Sequence, residues 1–507
     1  MSVSSIGSYS VSMKKKRNAK IGVSLAKDET NGDIRVTRVA ESGLAAKSNL
    51  RAGDKIMSIN GKSVEGLSPE AVAAMLRASA GHIDIEAEYA DDEEMPTEDD
   101  NLLSKEVNTD YAVGLSGWLG FLIFLIQVAF VVYAGVFMTI DTENSTKAEY
   151  MIFRDIMVML LLGFGYLMTF LSKYGLSSVG ITMLATVLNM ECNLIFESLF
   201  LNKYALSMSS LINAEFSAAT LLISFGALIG RVSPLQVTLI AVFQSLFYVI
   251  NKVIVLNYLQ VEDVGGTVTI HMFGAFFGLA ASYALGPQLK VSASNNAATR
   301  VSDVFALIGT TLLWVYWPSF VGATETGNAV YEPRCTIHTV LALIGSTASA
   351  FYFSQKQNKG KFDPVHIQNS TLAGGVAIGA TARLALSPAC AVITGLIAGA
   401  VSVWGYDYSS PALESSMGIY DTCGVGNLHG FPSVVGGLLS VIFVVIYSDD
   451  SIMAHSSSQF VFQIIGIFTT LIGSIVTGFI TGKIVLNNSP AYDDVEDYED
   501  HVFWTSE

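Results

Sequence analysis

Two short strings hold the residues best suited to chemistry: "DVGGTVTIH", from Asp263 to His271, and "DTCGVGNLH", from Asp421 to His429. Each sets a histidine eight residues after an aspartate, where a loop gives way to an apolar run. A charged group at mid-bilayer costs about 2.5–3.5 kcal/mol on insertion scales, so ionisable residues there need a reason. Imidazolium is as unwelcome as any other ion at that depth, and both rings are expected to be neutral. A neutral imidazole has one donor and one acceptor nitrogen, so two neighbouring rings satisfy each other and still present a line of polar groups. Such a line suits a small, uncharged, hydrogen-bonding solute and offers little to a permanent cation. The aspartates, nearer the ends, are placed to cap a helix start and to favour a cation approaching the mouth.

The elements that must position these residues are membrane helices. Of 507 residues, 51% are hydrophobic and only 14% charged, which excludes an ordinary soluble enzyme and predicts a mostly α, polytopic membrane protein. Between about Val113 and Leu486, twelve runs are long enough to span a bilayer, for which roughly 17–25 residues are needed. They begin near Ser116, Arg154, Ser178, Ser209, Pro234, Thr267, Ser302, Thr336, His366, Pro388, Gly424 and Gln459. An even number puts both termini on one side. Lys173, Arg231, Lys290, Arg300, Lys356, Lys359 and Lys361 fall in loops on that side, against Lys147, Lys203, Arg334 and Arg383 on the other, so both termini are expected to be cytosolic.

The His271 pair then opens span six and the His429 pair opens span eleven, in opposite directions, as inverted-topology repeats require. Eight residues at 1.5 Å place each histidine about 12 Å beyond its aspartate in a core about 30 Å thick, so the two can meet near the midplane. Gly274 with Gly278, and Gly375 with Gly379, permit close helix packing in lipid. His338 and His366 have no repeated counterpart and read as packing residues.

The remaining features mostly exclude functions. The net charge of −16 resides largely in Asp91–Asp100 and Asp493–Glu507, with seven acids each; these read as solvated, disordered segments, and nothing points to a nucleic-acid partner. Cys192, Cys335, Cys390 and Cys423 are scattered core thiols without metal, cofactor or redox spacing. No His-Glu pair exists, so the metalloprotease pattern H-E-x-x-H is excluded, and the chain is not expected to be an enzyme. The first twenty residues lack an apolar core and are not expected to be a cleavable signal peptide; the first transmembrane helix does the targeting. Asn144, in "ENSTKAEY", falls in the first outward loop as a glycosylation acceptor.

"GGTVTIHMFGAFFGL", "SDVFALIGTTLLWVYWPSF", "FDPVHIQNSTLAGGVAIG" and "DTCGVGNLHGFPSVVGGL" closely resemble, in order, the Rh glycoprotein branch of the ammonium transporter family. The resemblance covers about residues 112–485. It implies a homotrimer in which each monomer has its own hydrophobic pore, with ammonium recruited at an outer vestibule, deprotonated and passed as ammonia. It further implies pore histidines at His271 and His429, flanking aspartates at Asp263 and Asp421, and a stacked phenylalanine gate at Phe216 and Phe320. A carbon dioxide channel, or an ammonium sensor that signals through an appended domain, are the alternatives left open. Lys252, after Asn251, stands where that branch has an acid.

Residues 17–90 resemble a PDZ domain, which Rh proteins lack. "KIGVSL" fits the loop that binds a terminal carboxylate, with Ile21, Gly22 and Val23 supplying backbone N–H groups; "LRAGDKIMSINGKSV" and "SPEAVAAMLRAS" fit the following strands and groove helix. A C-terminal peptide would add as a strand to the sheet edge. The loop lacks its usual second glycine, and Pro69 stands near the helix-start position that often carries histidine. The expected organisation is a disordered N-terminus at 1–16, a small α+β PDZ-like domain at 17–90 and an acidic linker at 91–111. The twelve-helix transporter domain follows at 112–486, with an inverted repeat, and then an acidic cytosolic tail at 487–507. The expected location is the plasma membrane.

Overall fold

The computed structural model describes residues 8–15, 21, 23–27, 33–39, 45, 50–51, 53–64, 67–78, 81–88, 109–286, 297–447, 452–488 and 498–505, in two compact units, residues 1–106 and 107–507. Gly22, Lys290 and the acidic run at 91–100 lie outside the described residues.

In the first unit, strands β1 (Ser8–Lys15), β2 (Val23–Lys27), β3 (Ile34–Val39), β4 (Lys55–Ile59), β5 (Lys62–Ser63) and β6 (Gly81–Glu88) form one sheet in the order β1-β6-β4-β3-β2, with β5 on β4. Helix α1 (Pro69–Ala78) packs near β2. Alternation explains the sheet's two faces: Ile83, Ile85 and Ala87 are buried while His82, Asp84 and Glu86 are exposed. Asn60 and Gly61, both at positive φ, turn β4 into β5. The expected disorder at 1–16 needs correction. Residues 8–15 form β1, paired along its length with β6, because Val11 and Met13 alternate into the core.

In the second unit, eleven helices are long and apolar enough to cross a membrane among the described residues, and the chain is a multi-pass membrane protein. They are α2 (Thr109–Phe137), α3 (Lys147–Phe170), α4 (Gly175–Leu201), α5 (Met208–Gly226), α6 (Pro234–Tyr258), α7 (Thr267–Leu285), α8 (Arg300–Glu325), α9 (Tyr331–Gln357), α12 (Pro388–Met417), α13 (Gly426–Ile446) and α14 (Ser456–Val485). The remaining run, at His366, is two short helices, α10 (Pro364–Ser370) and α11 (Ala373–Ile378). It carries the chain from His366, beside Asp407, to Arg383, which binds Glu262 and Glu325.

Helix starts follow local chemistry. Thr146, Ser207, Ser233 and Thr299 form reciprocal capping boxes, and proline follows the cap at Ser233, Asp363 and Ser387. Gly274 and Gly278 lay α7 against α5: an added Cβ would come within 2.8 Å of Thr220 O and 2.7 Å of Ser224 O. Five of the long helices contain a wide, π-helical turn: Met159–Phe164, Val253–Tyr258, Thr267–Met272, Gly405–Ser409 and Gly426–Gly430.

The acidic tail also needs correction. Within it, residues 498–505 pack on the start of α4 and the loops at Lys173 and Gly230. Tyr498 is buried and its N–H donates to Gly230 O at 2.7 Å; Lys173 pairs with Glu499 at 2.8 Å; Asp500 accepts the Ser177 N–H at 2.8 Å. Interleaved aromatics, Tyr498, Phe503 and Trp504, supply the apolar contact that the acid count concealed.

Candidate functional site

Asp263 ends the loop before α7. Its carboxylate accepts the N–H groups of Val268 (3.0 Å) and Thr269 (2.8 Å) and the Thr269 hydroxyl (2.8 Å). Gly266, at φ +70°, turns the chain into the helix; a Cβ there would collide with Ile270. Asp421 does the same for α13, accepting from Val425 and Gly426 at 2.8 Å each. Both aspartates therefore hold the first free N–H groups of a helix, where the helix dipole also favours a negative charge. The end of α7 lies beside the start of α13, since Ser282 Oγ donates to Tyr420 O at 2.5 Å, so the two helices run in opposite directions.

Both histidines stand on π turns, His271 in Thr267–Met272 and His429 in Gly426–Gly430, and both are buried. Their Nδ1 atoms are 3.2 Å apart and the rings lie nearly parallel, 15° apart, with centroids separated by 5.2 Å. One Nδ1 donates and the other accepts. Trp317 stacks across both rings, at 5.6 Å from His271 and 6.4 Å from His429. Phe164 stacks on the other partner, 6.2 Å from His429.

Two cavities lie near this pair, one lined by Asp263 and the other by His271. The larger, about 180 Å³, is lined by Phe216, Lys252, Asp263, Thr269, Glu325 and Arg383 among others. The smaller, about 10 Å³, has room for about one water molecule and is lined by Met159, Leu160, Phe164, Ala219, His271, Trp317 and Phe320. Phe216 and Phe320, one from each lining, touch with centroids 5.1 Å apart. Their planes cross at 78°, so the expected stacked pair meets edge to face, in keeping with the ring quadrupole. In the smaller cavity's wall, His271 Nε2 and Trp317 Nε1 are buried without a hydrogen-bond partner. Buried polar atoms are rarely left so, and these two leave a polar demand in an otherwise apolar chamber.

The larger cavity keeps its cations paired. Lys252 Nζ, 11% exposed, binds Glu197 at 3.0 Å and Asn213 at 2.9 Å. Arg383 forks onto Glu262, which is buried, and reaches Glu325 at 2.9 Å. The lining itself carries two carboxylates, Asp263 and Glu325, and two cations, Lys252 and Arg383, with Glu197 and Glu262 behind them as the cations' partners.

The Ammonium Transporter Family profile matches residues 118–489, and the PDZ domain profile matches residues 10–88. The chain belongs to the ammonium transporter family. It is 40% identical over 369 residues to ammonium transporter Rh type A of Bos taurus, covering 72% of this chain and 85% of that protein. Against ammonium transporter Rh type C of Canis lupus familiaris it is 37% identical over 425 residues, covering 75% and 92%. The solved structure of Nitrosomonas europaea Rh50, of the Rhesus protein family of channels, superimposes with a TM-score of 0.63 at 33% identity, covering 72% of this chain and 93% of that one. A sensor Amt protein shares the fold, with a TM-score of 0.57 at 20% identity. This ammonium transporter family member thus carries a PDZ domain ahead of its membrane unit.

Sequence reasoning missed several residues of this family member's site. Trp317 stands three residues before Phe320 in "WPSF", one helical turn away, a spacing that put it within reach of the same chamber. Phe164 and the Glu262–Arg383–Glu325 cluster join residues more than fifty positions apart, and no local pattern announces them. His338 behaves as read, held by the carbonyls of Ala382 (2.8 Å) and Leu386 (3.2 Å). Asn144 is exposed in its loop, bonded to Asp141. In the first unit, Ile21 O accepts the Ala45 N–H at 2.9 Å, Val23 opens β2, and β2 lies at the end of the sheet order.

Proposed function

We propose that this protein passes ammonium across a membrane by conducting ammonia through the chamber at His271 and His429. The observation that carries this reading is the one-molecule cavity in which His271 Nε2 and Trp317 Nε1 have no partner, separated from the larger vestibule by Phe216 and Phe320. Ammonium collects in the vestibule, drawn by Asp263, Glu262 and Glu325, and sheds a proton at the aromatic constriction, because a bare cation beyond it has no counter-charge. Ammonia, which both donates and accepts hydrogen bonds, then fits the paired rings. Carbon dioxide has no hydrogen to donate and matches these nitrogens less well.

The relatives' names, which describe ammonium transporters, support the same substrate. A homotrimer in the plasma membrane with both termini cytosolic and a glycan on Asn144 completes the reading; Asn144→Gln should abolish the mobility shift produced by an endoglycosidase on the wild-type protein. The PDZ groove between β2 and α1 is read as taking a C-terminal peptide by strand addition.

The deciding measurement is internal pH in proteoliposomes under an imposed ammonium gradient. The wild-type protein should change it faster than empty vesicles do, and His271→Phe should slow the flux by more than about tenfold, since an unmatched polar solute in a dry chamber loses several kcal/mol. Equal rates for wild-type and empty vesicles would favour an ammonium sensor.

A further inference from the structure

Ser354, His366 and Asp407 form a polar chain next to the start of α13. Ser354, near the end of α9, is fully buried, and His366 is 3% exposed. Ser354 Oγ accepts the Asp363 N–H at 2.9 Å, which leaves its own proton to donate to His366 Nδ1 at 3.3 Å. Nε2 then carries the ring proton, and it stands 3.5 Å from Asp407 Oδ1. The second oxygen, Asp407 Oδ2, is buried and has no partner.

This chain adjoins the His429 turn. Helix α10 and the π turn Gly405–Ser409 both pack against Gly426–Gly430. Tyr406, whose ring lies 5.7 Å from His366, donates its hydroxyl to Cys423 O (3.0 Å) and Gly424 O (3.2 Å), just after Asp421. Among the described residues, Asp407 and Tyr406 on the π turn stand beside the His366 ring, Asp363 at the start of α10 acts on both of them, and Asp421 and Cys423 on the loop before α13 act on Tyr406. Asp303 of α8 is engaged by Gln368 at 3.0 Å.

We propose that His366 and Asp407 form a proton-exchange dyad, which returns a proton to ammonia leaving His429 and holds the resulting ammonium through Asp407 Oδ2. The idea rests on the ammonia-conduction reading. In the step, the lone pair of ammonia takes a proton from imidazolium; an N–H bond of the ring breaks, its electrons stay on the ring nitrogen, and an N–H bond of ammonium forms. Water on that face then reprotonates the ring. A histidine beside a carboxylate suits the role, because imidazole can both give and take a proton within hydrogen-bond reach.

The test uses the full chain in proteoliposomes of one orientation, with flux measured as pH is varied on the Asp421 face alone. Wild-type flux should titrate with that pH. Asp407→Asn should flatten the pH profile several-fold, because the ring loses the carboxylate that stands 3.5 Å from its Nε2; in His366→Gln the dependence should vanish. Asp407→Glu should restore the wild-type profile, and KM on the Asp263 face should stay unchanged in all variants that assemble as the wild type does. Wild-type profiles in both Asp407→Asn and His366→Gln, or wild-type flux indifferent to pH on that face, would overturn the dyad. Absence of any wild-type flux would instead overturn the conduction reading on which it rests.

Discussion

The Asp263–His271 and Asp421–His429 segments share a spacing and a role for the aspartate, yet they sit in different surroundings. Asp263 is buried, holds three donors from Val268 and Thr269, and faces a vestibule of about 180 Å³. Asp421 is half-buried and holds the N–H groups of Val425 and Gly426, on a loop tied to Tyr406. The lesson is that the repeat fixes backbone and leaves function to the neighbours. Both aspartates start a helix so that its histidine reaches the pair, but one entrance is built around ion-paired carboxylates and the other around a histidine and an aspartate.

Breaking the aspartates should therefore give unequal results. Asp263→Asn turns amide hydrogens toward donors in a dry site and should lower stability by about 3 kcal/mol; Asp421→Asn, with fewer donors and more water, should lose about 1 kcal/mol. Thermal unfolding in detergent measures both, and equal losses would erase the distinction. The vestibule's ion pair should rank next. Lys252→Met strands Glu197 and Asn213, and should be rescued in part by Glu197→Gln, with a coupling of about 1–3 kcal/mol in a double-mutant cycle. Additive effects would mean that the pair does not act as one. The smallest change tests the chamber between the two entrances. A Cβ on Gly375 would stand 2.5 Å from Trp317 Nε1, so Gly375→Ala should shift the indole off the histidines and slow ammonia flux several-fold, with about 1–3 kcal/mol of overpacking. Unchanged flux would show that Trp317 only fills space.

What could be read in the sequence depended on distance along the chain. The histidine pair was legible because the same offset occurs twice, in helices whose order alone sets their opposite directions. The aspartates' capping role followed from their place at helix starts. The angle between Phe216 and Phe320 was not legible, since it comes from packing between α5 and α8. The break of the His366 run into α10 and α11 was masked by its apolar character, because hydropathy does not distinguish one long helix from two short ones. Composition misled at both ends of the chain. Lysines and serines hid the Val11–Met13 alternation of β1, and acids hid the aromatic contacts of residues 498–505. His366 read as packing because its partner Asp407 lies forty-one positions away.

The wide turns give this protein a sensitivity to length that composition cannot reveal. A π turn is an α-helix with one residue too many, and His271, His429, Phe164 and Asp407 all ride on such surpluses. Deleting one residue from Thr267–Met272 would let the ladder close as ordinary α-helix, swinging everything on one side of the cut by about 100° and drawing it in by about 1.5 Å. Point substitutions there change a side chain; a deletion would re-aim the path itself.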